Sequence, residues 1–299
     1  MSGIERPGET PLVPSGRGAA KPDPVLEALR RESRHFTGRR YGKSVKLLED
    51  ILLRKDLKPL QRFEALCRKA ESLERIGRVR SAMDILRTVT KSHPDEPLGF
   101  SLLGEYLLRV ADDPQGALTA LARALDMSPD DPDTLWWKGQ AYQAGLGDMK
   151  RAKECYLYAL KADPKYAQAM ESLAVLAESQ GRWIEAVEWR KAHYLREKRP
   201  ASLCAIAELY LRLGNLPAAQ KYTASAVRCS PRDAMTWLTR AKALSAVGDL
   251  ARAIKALSRY ASLADARIGP HIFPRDMFWI EPMMDDPHAA ALIRRFSAE

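Results

Sequence analysis

Residues 132–164 read PDTLWWKGQAYQAGLGDMKRAKECYLYALKADP, and Gly139, Ala152 and Pro164 organise this stretch. Leu135, Gly139 and Tyr142 on one side of Gly145-Leu146-Gly147, and Ala152, Tyr156 and Ala159 on the other, recur at helical spacing. The stretch therefore reads as two helices joined by a turn. A small residue in each helix lets the two backbones approach closely, where a large side chain would hold them apart. The proline cannot continue a helix, so it ends the second one.

The same markers recur outward in both directions. The small residue of the first helix returns as Ala70, Gly104, Gly139, Ala174, Ala207 and Ala241, at intervals of 34, 35, 35, 33 and 34 residues. The alanine of the second helix returns in step as Ala82, Ala117, Ala152, Ala186, Ala219 and Ala253. Pro94, Pro129, Pro164 and Pro231 share the period, with Lys198 and Asp265 in the two remaining places. Gly77, Gly181, Gly214 and Gly248 fall between the helices, where positive φ is useful. Separate positions sharing one period mark an internal repeat.

The pattern resembles the tetratricopeptide repeat family. The likeness is carried by Leu135, Gly139, Tyr142, Ala152, Tyr156, Ala159 and Pro164 in one unit and by Trp237, Ala241, Leu244, Ala253 and Leu257 in another. It implies an all-α fold, a right-handed superhelical solenoid of antiparallel helix pairs, with six units over residues 63–267. The units at 97–131 and 132–166 each carry an extra residue near the inter-helix turn, around Asp112-Asp113 and Gly145-Leu146-Gly147. Arg190 and His193 stand where the family usually has an aromatic residue and an alanine. His193 is expected to face inward with a satisfied ring. Residues 25–62 read as a degenerate, basic unit with Leu26, Leu29, Phe36, Tyr41, Val45, Leu48 and Ile51 as its apolar set.

The ends leave the period. Residues 1–24 hold Pro7, Pro11, Pro14, Pro22 and Pro24 and read as a disordered Pro/Gly-rich tail. Residues 268–299 concentrate Ile272, Phe273, Met277, Phe278, Trp279 and Ile280, and Asp286-Pro287 is a good helix start. The last unit of a solenoid has an uncovered apolar side, so this segment reads as a cap. The competing reading sends Phe278 and Trp279 into the groove against a partner.

Composition excludes several classes of function. Hydrophobic residues make up 46% and charged residues 29% of the chain, and no run of about 18 uncharged apolar residues occurs. Glu5, Arg6 and Glu9 stand where a secretory signal needs an apolar stretch, so the expected compartment is the cytoplasm. Cys67, Cys155, Cys204 and Cys229 form no CxxC pair and read as free thiols. His35, His93, His193, His271 and His288 are scattered, and no metalloprotease, hydrolase or nucleotide-binding motif occurs. The expectation is a protein without catalytic residues, metal or cofactor.

In tetratricopeptide solenoids the first helix of each unit lines a concave groove that binds polypeptide. Carrying that geometry over selects Glu71, Glu74, Arg75, Glu105, Arg109, Trp136, Gln140, Glu171, Glu178, Glu208, Arg212 and Lys242 as the partner-binding residues. With Glu64, Asp133 and the uncharged members added, the groove positions hold eight acids and four bases, although the chain carries +10 overall. The expected partner is another protein, as a peptide, a helix or a complex subunit, with a basic segment and an apolar anchor for Trp136. Trp136 and Trp137 diverge by about 100° on a helix, which assigns Trp136 to the groove and Trp137 to packing. Family members that grip a C-terminal carboxylate use Lys, Arg and Asn, whereas the equivalents here are Cys67, Glu71, Leu102, Asp133 and Trp137. That function is not carried over.

The N-terminal third supplies +7 of the +10, concentrated in Arg30, Arg31, Arg34, Arg39, Arg40 and Lys43. This basic patch is the basis of the alternative reading, binding of nucleic acid or an anionic surface. Self-association stays open.

Overall fold

The structure is a computed structural model that describes residues 23–264, 272 and 274–297. Its helices are α1 (Pro24–Thr37), α2 (Tyr41–Leu52), α3 (Pro59–Arg75), α4 (Val79–Ser92), α5 (Pro97–Arg109), α6 (Pro114–Met127), α7 (Pro132–Gln140) and α8 (Met149–Ala162). They continue with α9 (Ala167–Ser179), α10 (Trp183–Glu197), α11 (Pro200–Arg212), α12 (Leu216–Cys229), α13 (Ala234–Ser245), α14 (Leu250–Leu263), α15 (Pro274–Ile280) and α16 (Pro287–Phe296). The fold is an all-α solenoid of helix pairs. The chain forms two compact units, one ending at Leu103 and one beginning at Gly104. No helix among the described residues is long and apolar enough to cross a membrane.

The boundaries differ from the sequence reading at both ends. Asp23 accepts the Val25 amide at 2.8 Å and Pro24 opens α1, so these two residues belong to a helix rather than to the expected tail; residues 1–22 lie outside the described residues. The boundary expected at 62/63 falls inside α3, which Pro59 opens. The first pair packs through Val25, Leu29, Leu48 and Ile51, with Leu26 46% exposed in place of its expected burial. Part of the C-terminal segment, including Phe273, also lies outside the described residues.

Helix starts and stops follow local chemistry. Asp131, Asp148, Asp233 and Asp286 each accept a backbone amide three residues ahead, satisfying a donor that the first turn leaves unpaired. Before the repeat prolines, His93, Ser128, Asp163 and Ser230 leave the helical ψ range, because the proline ring clashes with a helical residue in front of it. Where Lys198 replaces that proline, α10 ends differently, with Lys198 itself left-handed at φ 55°.

The small-residue markers are buried without exception. Ala70, Ala174, Ala207 and Ala241 in first helices, and Ala82, Ala117, Ala152, Ala186, Ala219 and Ala253 in second helices, have 0% exposure. A methyl group on Gly139 would overlap the ring of Tyr156, which is itself fully buried. Inserted residues are absorbed at the turns. After α7 the chain widens into a π-helical turn, Ala141–Gly145, in which the Leu146 amide donates to the Ala141 carbonyl at 3.2 Å. A Cβ on Gly145 would strike Pro114 at the start of α6, so the widened turn is seated against its neighbour. In the preceding pair, Asp112 takes up the extra length in a left-handed conformation at φ 51°.

The far end is closed by α16, whose Ile293 and Phe296 join Leu257 and Tyr260 of α14 in one apolar cluster. The Tyr260 and Phe296 rings meet edge to face at 5.1 Å. All four cysteines are free; burial pushes the Cys155 thiol up to about 11 and, with help from Glu71, the Cys67 thiol up to about 12. Tyr156 cannot retreat from a new side chain, because Gln140 and Gln143 both hold its hydroxyl. Gly139→Ala is therefore expected to cost about 1–3 kcal/mol, read as a lower urea midpoint with a native circular-dichroism spectrum.

Candidate functional site

First helices supply the predicted groove residues. Glu71, Glu74 and Arg75 lie on α3 in the unit ending at Leu103, and Arg75 meets Glu74 at 3.5 Å. Glu105 and Arg109, on α5 beyond Gly104, pair with each other one turn apart. The remaining seven follow on α7, α9, α11 and α13.

Trp136 is not the exposed anchor expected from helical phase. Its indole N–H donates to Ser172 Oγ at 2.8 Å, and its ring packs beside the cluster of Leu135, Tyr156 and Tyr166. Gln140 Nε2 donates to the Tyr156 hydroxyl at 2.8 Å and to Ser172 Oγ at 3.2 Å. Trp137 packs beside Leu121 and Ala141, and the two indoles touch edge to face at 4.6 Å. Both are half-buried. Phase separates the Cα–Cβ directions by about 100°, but side-chain torsions swing long rings back together.

The groove positions on α9, α11 and α13 converge with residues that phase did not select. Arg190 is 14% exposed; its Nε donates to Glu178 at 2.8 Å, and a terminal nitrogen stands 3.7 Å from Glu171. Lys242 is 4% exposed, with Nζ 2.5 Å from Glu208 and 2.9 Å from Asp276 of α15. Arg212 is exposed, and its guanidinium lies 5.1 Å from the centre of the Trp183 ring. These groups, Glu171 excepted, and Trp279 line a cavity of about 530 Å³.

Three of the acids inferred for the groove are thus partnered by cations. Glu171 and Glu178 share Arg190, and Glu208 has Lys242. Arg190 comes from a second helix, outside the counted positions. Its signal was visible: a cation in an aromatic position on a packed helix has to find carboxylates nearby. Trp183, Asp276 and Trp279 carried no such signal.

The basic patch is a surface feature. Arg30, Arg31 and Arg34 of α1, Arg39 and Arg40 in the turn, and Lys43 of α2 are all exposed, and none pairs with a carboxylate among the described residues. One of the two acids of α1, Glu32, faces inward at 2% exposure and takes the hydroxyl of Ser44 at 2.5 Å and Arg68 at 3.0 Å. His193 is 4% exposed, its Nδ1 3.3 Å from Ser202 Oγ. Among the described residues no group of three or more His, Cys, Asp or Glu is placed to hold a metal ion.

Comparison with known proteins agrees with this architecture. The tetratricopeptide repeat family model matches residues 67–132, 102–146, 142–202 and 204–269. A TPR repeat-containing protein of Pseudomonas aeruginosa is 26% identical over 169 residues, which is 56% of this chain and 28% of that relative. Among solved structures, the type IV pilus biogenesis factor PilW superposes with a TM-score of 0.61 at 19% identity, over 71% of this chain and 96% of PilW. A tetratricopeptide repeat protein from Parabacteroides merdae does so with a TM-score of 0.54 at 15% identity, over 91% of this chain and 98% of that one. The phased small residues, the paired helices and the matched repeats together place this chain in the tetratricopeptide repeat family.

Proposed function

We propose that this protein is a non-enzymatic adaptor that holds a segment of another polypeptide against the first-helix face from α7 to α13. The observation that carries the reading is the cavity of about 530 Å³, where two tryptophans and three cations meet on that face. Its volume falls in the range of binding sites, and aromatic rings beside arginine are the groups that dominate interface energetics. Glu171, Glu178, Glu208 and Asp276 each already meet a cation, so the cavity suits a segment with an apolar anchor and mixed polar groups. A strongly basic ligand, expected from counting acids, has less to gain.

A second reading rests on the six uncompensated cations of α1, its turn and α2. A cluster of unpaired guanidinium groups attracts polyanions in a salt-dependent way. Nucleic acid or an anionic lipid surface would be its ligand.

Glu171 and Val175 are exposed on α9, next to the cavity, and neither fills the core. The variant Glu171→Lys with Val175→Asp is expected to lose the captured partners of the wild type, identified by affinity capture and mass spectrometry, at unchanged helical content; an unchanged set of partners overturns the groove reading. Trp136→Ala is expected to lower stability by about 2–3 kcal/mol, since the half-buried ring packs against the core cluster and its N–H holds Ser172. Neutralising Arg30, Arg31, Arg39 and Arg40 to Gln is expected to abolish any oligonucleotide or phosphatidylserine-vesicle binding seen at low salt. No binding by the wild type at low salt removes the second reading.

A further inference from the structure

The C-terminal segment does two separable things. The end of the solenoid is covered by Ile280, Met283, Ile293 and Phe296, all between 0% and 1% exposed. That coverage needs no charge. Yet α15 also turns Asp276 onto Lys242 and Trp279 into the wall of the cavity, beside Leu211 and Ala243. A buried ion pair adds little stability over an apolar contact of the same shape, but it specifies one seating and rejects others. Asp276 is 7% exposed, so its carboxylate meets Lys242 largely out of water.

We propose that the cavity is the site for a partner segment carrying an acidic residue three places before an aromatic one, and that Asp276 and Trp279 of α15 are the chain's own copy of that ligand. The inference rests on the groove reading above and names the chemistry of its occupant. The acid meets Lys242, whose ammonium otherwise has, among the described residues, Glu208, a side chain 43% exposed. The aromatic ring enters beside Leu211, with Trp183 lining the same cavity. The free volume beyond α15 borders Arg212, which has no carboxylate partner among the described residues. A longer segment can reach Arg212; α15 does not. That difference matters, because a tethered segment acts at an effective concentration on the order of millimolar and an outside partner has to exceed it through contacts the tether lacks. A seven-residue helix has little stability of its own, so its seating depends on Asp276 and Trp279 together with Met277 and Ile280, which pack into the apolar end cluster. Phe278 stays 73% exposed against Trp279, at 4.7 Å, and becomes part of any surface that α15 presents after release.

The test uses the full chain and a fluorescein-labelled synthetic peptide of residues 272–283 added in trans. The full-chain variant Asp276→Asn with Trp279→Ala has an emptied site and is expected to bind the peptide at least tenfold more tightly than the wild type. A peptide carrying the same two substitutions is expected to lose at least tenfold in affinity for that emptied chain. Asp276→Asn alone, which preserves shape, serves in place of the double variant should the latter lose helical content. The proposal falls if the peptide binds both chains equally, or binds neither. The groove reading is judged separately by Glu171→Lys with Val175→Asp: loss of capture there, together with equal peptide binding by both chains, leaves the groove reading standing and removes α15 as its ligand copy.

Discussion

The structure depends on one steric constraint, the close approach of two helices over a residue with almost no side chain. Ten alanines at the two phased positions are fully buried, and at Gly139 not even a methyl group fits against Tyr156. A repeat held this way cannot bury its apolar face alone and must stack on the next. The stacking sets α9, α11 and α13 around one cavity, where they bring together residues more than thirty positions apart. Without the small residues the pairs would separate and the cavity would lose its walls.

Charge around that cavity is arranged rather than accumulated. Arg190 arrives from a second helix to hold Glu171 and Glu178, and Lys242 is held between Glu208 and Asp276. Carboxylates taken partly or wholly out of water and left alone would carry a desolvation penalty, and Glu178, Glu208 and Asp276 each have a cation within reach. The cations on α1 and α2 follow the opposite course. Glu32 is drawn inward by Ser44 and Arg68, and its surface neighbours have no carboxylate partner among the described residues. The result is partnered acids at the cavity in one compact unit and a cationic surface in the other.

How much of this was legible in the chain varies with the reach of the interaction. Aspartate caps, repeat prolines and turn glycines act within a few residues, and the helices begin and end where those residues place them. Inserted residues were also legible as an offset in the period. The manner of their absorption was not: a π-helical turn against Pro114 in one pair and a left-handed Asp112 in another are settled by what the neighbouring helix allows.

The sequence by itself determined the class, the period, the helix pairs and their turns, because each rests on contacts repeated at a fixed offset along the chain. The resemblance to the repeat family, rather than the spacing, supplied the expectation that first-helix residues line one groove. Only the tertiary structure decided which of them are buried and which exposed. Trp136 was drawn into the core by Ser172, thirty-six residues away, and Arg190 crossed from the second-helix position to the groove. The tail was decided there too. A segment outside the repeat has no period to align it, so whether α15 would only cover the last pair or also reach Lys242 depended on a single ion pair between side chains thirty-four residues apart.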